Sequence, residues 1–332
     1  MKRIIQVVTL CLFVVASMSS CKKTTKGLRP VVTGKSGEVL VLINDALYEG
    51  SVGDSLKSVL NDTQIGLPQS EPLFDILHLS HNAFSSMFKT HRSILDIRVS
   101  SKVTESKISV KDAVYAKSQS FMKIEAKNNK EMIKMLTENR NKIIAYFHLG
   151  ERNRKLKVFK KNTVQEVFDK LKAKYDFTLT FPSGYTINKE EGDFLWISKE
   201  TPTTSQGMFI YTYDYISEDS FTKDAVVKKR NILLGNFVPG PLEGSYMTTE
   251  KGYPISNRYF EFMGNYASET RGLWKVENDF MGGPFLNITF LDKKNNKVVC
   301  LDSYVYYPNH NKRELLRELE AVMYSYNNIV EK

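Results

Sequence analysis

The sequence predicts an α+β protein with mixed, mainly antiparallel sheets covered by amphipathic helices, arranged as two similar halves. Three observations predict this. Apolar runs of strand length recur along the chain, as at residues 38–43, 177–181 and 297–301. Between them lie stretches whose apolar residues fall on one helical face. Met132, Leu136, Ile143 and Phe147 make one such stripe, and Leu315, Leu316, Leu319, Val322, Met323 and Tyr326 make another. Finally, the order helix, strand, strand, strand, helix appears on both sides of a break near residue 160. The 332 residues, 42% of them apolar, suffice for one large core or two smaller ones.

The elements follow in order. Residues 38–43 form a continuous apolar run and read as a central strand. Residues 44–53 read as a turn, with Gly53 or Asp54 near the cap of a helix that runs to Leu60. Two prolines, Pro68 and Pro72, forbid a helix and fix an extended loop. Strands are expected at 74–79, 91–99 and 121–126. Asn129 is expected to cap one long helix carrying the first stripe.

In the second half, Asn162 or Thr163 caps a helix with Val164, Val167, Phe168 and Leu171. Strands follow at 177–181, 193–198 and 208–213. A helix over 221–234 ends at Gly235, and residues 235–257, rich in Gly and Pro, read as a long loop of the kind that carries function. Strands at 268–277, 284–292 and 297–306 precede the closing helix. The last two are joined by the hairpin turn Lys293-Lys294-Asn295-Asn296-Lys297. In the closing helix, Arg313–Arg317 and Glu314–Glu318 are like-charge i,i+4 pairs, so packing rather than surface charge is expected to hold it.

The N-terminal segment says where the chain resides. Lys2 and Arg3 precede an apolar run over residues 4–16, then Ser17-Met18-Ser19-Ser20-Cys21. A positive start, a short apolar middle and a small-residue end make a secretory signal peptide. The run is too short for a transmembrane helix, which takes about 20 apolar residues. Small residues directly before a cysteine resemble the lipobox of bacterial lipoproteins, although Met18 stands where Leu is commoner. The resemblance implies that Cys21 is acylated and becomes the new N-terminus. The expected organisation is therefore a signal peptide over 1–20, lipid anchor and tether over 21–37, and α+β halves over 38–160 and 161–332.

Of three cysteines, Cys11 leaves with the signal and Cys21 carries lipid, so Cys300 remains alone and no internal disulfide is expected. Cys300 lies in a strand-like run and reads as a small buried apolar residue. The formal charge of +10 becomes about +8 once Lys2 and Arg3 are removed. The lysines are scattered, with no basic helix and no aromatic-Gly recognition motif, so nucleic acid is not an expected partner.

An ordered set of motifs carries a further resemblance. Gly37-Glu38-Val39-Leu40-Val41, Leu67-Pro68-Gln69-x-Glu71-Pro72-x-Phe74, His91-Arg92-x-Ile94-Leu95 and Ala116-Lys117-x-Gln119 resemble domain of unknown function 4837, a family of uncharacterised Bacteroidota envelope lipoproteins. The resemblance spans about residues 37–327, with Ser93 standing where Asn is expected. It implies an envelope lipoprotein and no established activity. In such lipoproteins acidic residues after the cysteine accompany export to the cell surface. Lys22 and Lys23 therefore imply an outer-membrane lipoprotein facing the periplasm, its partners the membrane and an envelope protein or glycan.

His78-x-x-His81 is the one close histidine pair and has no third ligand in sequence, so no metal and no cofactor is expected. No Gly-x-Ser-x-Gly elbow, Gly-x-Gly-x-x-Gly or Walker sequence occurs. Glu71, His91 and Arg92 form the best polar constellation: Arg92 suits an anionic ligand, or Glu71 and Arg92 pin the proline loop to the adjacent strand. Arg271 and Trp274, flanking Gly272, form either a ligand shelf or a strand with a bulge. Tyr211, Tyr213 and Tyr215 line one strand face that either binds sugar rings or packs under a helix. No catalytic residue is assigned. A non-enzymatic binding or assembly component is the leading expectation, and a hydrolase of envelope glycan or peptide the alternative.

Overall fold

The computed structural model describes residues 29–328. Cys21, the segment before it and most of the tether lie outside the described residues.

The N-terminal half builds β1 (Glu38–Leu42), α1 (Asp45–Tyr48), α2 (Ser51–Leu60), β2 (Asp75–Leu79), α3 (Ser86–Lys89), β3 (Ser93–Val99), β4 (Lys107–Asp112), β5 (Ser120–Ala126), α4 (Asn129–Glu138) and α5 (Arg140–Phe159). The strand order is β2-β1-β3-β5-β4, parallel except for β4 against β5. β1 is buried on both faces, as its continuous apolar run requires. Val39 and Val41 meet α2, α4 and α5 on one side, and Leu40 and Leu42 meet Ile94, Leu77 and Phe88 on the other.

Two local expectations change. α2 begins at Ser51 with Gly53 inside it, where glycine is required because a Cβ would come within 1.7 Å of the Tyr48 carbonyl oxygen. The long helix breaks at Asn139 into α4, capped by Asn128, and α5. Its stripe survives the break: Met132, Leu136, Ile143 and Phe147 are all fully buried.

The C-terminal half contains α6 (Gln165–Tyr175), β6 (Phe177–Thr178), β7 (Thr186–Glu191), β8 (Phe194–Glu200), β9 (Ser205–Asp214), α7 (Lys223–Phe237), β10 (Tyr246–Thr249), β11 (Ser256–Phe262), β12 (Asn265–Glu277), β13 (Gly282–Asp292), β14 (Lys297–Tyr306), α8 (Arg313–Met323) and β15 (Asn327–Asn328). The eight-stranded sheet is antiparallel throughout, in the order β10-β12-β13-β14-β9-β8-β7 with β11 also on β12. The two sheets therefore differ in pairing, and the repeated element order does not extend to topology. α7 runs past Gly235, and the expected loop contains β10 and the start of β11.

Both faces of this sheet are covered. Leu286, Ile288, Leu301 and Val305 pack beneath α6 and α8, while Phe285, Val298, Cys300 and Tyr304 face the α7 side. Cys300 is 1% exposed, and burial pushes its thiol up to about 12. Gly272 keeps regular register opposite Phe285, so no bulge forms; a Cβ there would meet the Phe285 ring at 2.8 Å.

On the α7 side lies a fully buried ion pair. Arg230 Nε donates to Asp302 at 2.9 Å, Asn287 donates to the same carboxylate at 2.9 Å, and the guanidinium stacks 4.1 Å from the Phe285 ring. Removing one partner strands a buried charge. We predict that Asp302→Ala lowers the unfolding free energy by about 3–5 kcal/mol in denaturant titrations. The paired replacement Arg230→Met with Asp302→Leu is expected to recover most of that loss.

Candidate functional site

The structure does not bring Glu71 to His91 or Arg92. Glu71 is 3% exposed and sits at the N-terminus of α8, where it accepts the backbone N–H groups of Lys312 (2.7 Å) and Arg313 (3.0 Å). Lys312, the helix's own cap position, supplies no side-chain cap, so a carboxylate from the other half of the chain fills that role. His91 is buried between Ser93 O (2.9 Å) and Glu38 Oε1 (2.8 Å). Arg92 pairs with Glu151 at 2.9 Å, and Glu151 also accepts from Arg154 at 2.7 Å. Each of these residues thus has a protein partner, and the three do not converge.

Arg271 and Trp274 also separate. Three apart in a strand, they point to opposite faces. Arg271 meets Glu269 at 2.8 Å and Glu320 at 3.5 Å, whereas the indole of Trp274 donates to Val305 O at 3.2 Å on the α7 side. His78 stacks on Tyr48 and His81 bonds Asp96 at 2.7 Å. Among the described residues no group of three His, Cys, Asp or Glu is placed to hold a metal. Tyr211 is buried, and the Tyr213 ring lies under Lys229 of α7, so this tyrosine face packs beneath a helix.

The seam between the halves is a dense charge network. Arg313 reaches Asp75 (2.8 Å) and Pro72 O (2.6 Å). Arg317 reaches Glu314 (3.0 Å), Leu73 O (2.6 Å) and His148 Nε2 (3.0 Å). Burial and the adjacent Arg317 hold His148 well below its ordinary pKa, so it is a neutral acceptor. The like charges along α8 therefore find partners across the seam, and ion pairing joins packing in holding the helix. The cavity beside His148, Arg152 and Lys155 measures about 30 Å³, room for a water and not for a ligand.

A ligand-sized space of about 340 Å³ lies on the other side of the eight-stranded sheet. Trp196 of β8, Trp274 of β12 and Tyr304 and Tyr306 of β14 form its aromatic floor, with Met247 and Met281 beside them. Val238 to Pro241, from the Gly/Pro-rich segment after α7, make a wall. Gly240 is required there, since a Cβ would meet Ser245 Oγ at 2.3 Å and Val276 at 2.4 Å. Trp274 stands edge-on to Tyr304 with ring centres 5.9 Å apart.

One side of the pocket is polar and pre-wired. Trp196 Nε1 donates to the Tyr304 hydroxyl at 3.1 Å, and that hydroxyl shares a hydrogen bond of 3.2 Å with Ser205 Oγ, whose own proton goes to Glu200. Glu200 Oε1 accepts from Ser198 (2.6 Å) and Ser205 (2.9 Å), and Asn188 donates to Ser198 (2.6 Å). Burial pushes the Tyr304 hydroxyl up to about 12, so it stays protonated. Glu200 is the one carboxylate in the lining, which includes no His, Cys or Lys. Such a set can stack against a ring and hydrogen-bond its edge.

Sequence reading singled out Trp274 and the Gly/Pro-rich segment but missed Trp196, Tyr304 and Tyr306. The available signal was that both tryptophans of the chain lie in strand-like runs.

Residues 163–325 match the model of Domain of unknown function (DUF4837). That match covers the C-terminal half of the chain. Residues 32–160 match Domain of unknown function (DUF8532). The motifs at 37–41, 67–74, 91–95 and 116–119 therefore all lie in the stretch matched by the second model, and the DUF4837 match covers the aromatic pocket. No curated protein matches the chain. Among solved structures, the Ran-binding protein Mog1p of Saccharomyces cerevisiae is 10% identical, covering 46% of this chain and 90% of its own, with a TM-score of 0.32. A mutant Mog1 structure is 8% identical over 46% and 91%, with a TM-score of 0.31.

The seam makes a pH prediction. Burial alone would raise the Glu314 carboxyl, but Arg317, Lys155 and Arg313 outweigh it and hold it near 2. Burial and the pair Arg271 and Arg258 act likewise on Glu269, also near 2. Both lie below the unfolded value near 4.5, so their stabilisation is present above about pH 4.5 and is lost as pH falls toward 2. We expect thermal melts over this window to lose roughly 2–3 kcal/mol through Glu314. Glu314→Gln should flatten that part of the profile.

Proposed function

We propose that this protein is a lipid-anchored component of the cell envelope, held through acylated Cys21 at the periplasmic face of the outer membrane. There it binds a glycan in the aromatic pocket without transforming it. The single observation that carries the binding role is the composition of the pocket: the partly exposed rings of Trp196 and Tyr306 backed by the buried Trp274 and Tyr304, a connected polar edge and one carboxylate. Sugar rings present apolar faces to indole and phenol rings and hydroxyls to Asn, Ser and Glu, which is the division of labour seen here. No helix among the described residues is long and apolar enough to cross a membrane, so attachment in this reading rests on the lipid.

Because both tryptophans line the pocket, intrinsic fluorescence reports on it directly. Titration with soluble peptidoglycan fragments is expected to shift or quench the emission saturably. Trp196→Ala, partly exposed in the pocket, is expected to weaken binding about tenfold, ~1.4 kcal/mol, with little change in melting temperature. Unchanged emission across the titration, or wild-type affinity in Trp196→Ala, would remove the pocket from the account.

A further inference from the structure

On the N-terminal side of the seam, α5 and the first described residues enclose a cleft of about 600 Å³. Arg92, Lys117, Arg154, Lys155, Lys157 and Lys161 line it, and no acidic residue does. Glu151 lies behind, engaged by Arg92 and Arg154. Its single charge does not offset six cations. Lys155 is turned toward Glu314 at 3.3 Å, but Lys117, Lys157 and Lys161 are exposed. Arg154 is 7% exposed, and its Nε, like that of Arg92, is buried without a hydrogen-bond partner. The floor of the cleft thus keeps two unsatisfied guanidinium N–H groups beneath the exposed Lys117, Lys157 and Lys161, of which Lys157 also donates to Ser118 Oγ at 3.3 Å. Val31 and Val158, 75% and 57% exposed, flank it with apolar surface.

The position of the cleft names its occupant. Val31 and Val32 line it, and Arg29 is the first described residue. From Cys21 to Arg29 the chain has eight residue steps (29 minus 21), which fully extended span at most about 29 Å. A protein anchored at Cys21 therefore holds Arg29 within about 29 Å of the bilayer, a reach that lets the cleft come against its surface. Lysines near an anionic leaflet are attracted to it over about a Debye length, and several acting together hold a surface that each alone would not.

We infer that the cleft is a membrane-facing seat for anionic phospholipid headgroups, which orients the anchored protein on its own bilayer. The phosphate of the headgroup meets the lysines while Val31 and Val158 touch the interfacial region. This inference rests on the anchor at Cys21, but its test need not.

The test uses the mature chain, residues 21–332 carrying Cys21→Ser, which has neither signal peptide nor acylation site, in vesicle sedimentation. Vesicles of phosphatidylglycerol and phosphatidylethanolamine are expected to bind it, more weakly as salt rises, and phosphatidylcholine vesicles are not. Adding Lys117→Glu, Lys157→Glu and Lys161→Glu should weaken binding about tenfold or more without moving the melting temperature. Equal binding to both vesicle types, or a triple variant that binds like its parent, overturns the inference. Release by inorganic phosphate at constant ionic strength also overturns it, since the cleft would then take the free anion rather than the surface. Failure of the anchor itself is read separately, from fractionation of the unmodified chain.

Discussion

Two backbone N–H groups at the start of α8 have no partner in their own half of the chain, and the Glu71 carboxylate from the other half accepts both. A charged acceptor at a helix N-terminus gains from the hydrogen bonds and from the helix dipole together, on the order of 1.5–3 kcal/mol per bond. The whole Leu-Pro-Gln-Ser-Glu-Pro string is arranged around this contact. Leu67 inserts into the core of the C-terminal half, and Gln69 accepts from Lys312 at 2.9 Å. The Pro72 carbonyl accepts from Arg313, while Phe74 returns to the N-terminal core. The prolines restrict the loop, so little entropy is lost when it docks. The most distinctive motif in the sequence is in this sense a hook between two sheets.

That seam consumes the polar residues that would otherwise look like chemistry. Glu71, Glu151, Arg313 and Arg317 are buried and paired, and the cavity beside Glu151 and Arg317 is water-sized. Ligand-sized space appears instead where the helical cover is incomplete. α7 leaves the eight-stranded sheet at Phe237, and the segment that follows stands off as a wall over Trp196 and Tyr306. The sheet is covered on both faces for most of its width, and the aromatic pocket lies where that cover ends.

Much of the fold was legible because its signals are local. The continuous run of β1, the alternation of β3 and β5, the stripe of α4 and α5 and the burial of Cys300 all depend on residues near one another in sequence. β4, β7 and β11 were not anticipated. They are edge strands, largely exposed, and in β4 the apolar signal is only two residues long, Ile108 and Val110 in Lys-Ile-Ser-Val-Lys-Asp. Partners of buried charges were illegible for a different reason. Asp302 for Arg230, Glu71 for α8 and Asp75 for Arg313 lie 72 to 241 positions away, and no spacing rule reaches so far. The apparent repulsion within α8 was the clearest casualty: Arg313 and Arg317 repel as neighbours on a free helix but are held apart by acceptors from the N-terminal half. The pocket was half legible, through Trp274 and the Gly/Pro-rich segment, since its other rings come from strands whose pairing alone brings them together.

The basic cleft, the tether and the aromatic pocket belong to one account only if the chain is fixed to a bilayer. Anchoring sets the distance of the cleft from the membrane and restricts the pocket to ligands within reach of the envelope. The most direct measurement is metabolic labelling with radioactive palmitate, comparing the unmodified chain with Cys21→Ala. The account predicts label on the former, none on the latter, and loss of the variant from the outer-membrane fraction. An unlabelled wild-type chain, or a variant that fractionates like it, would contradict the account.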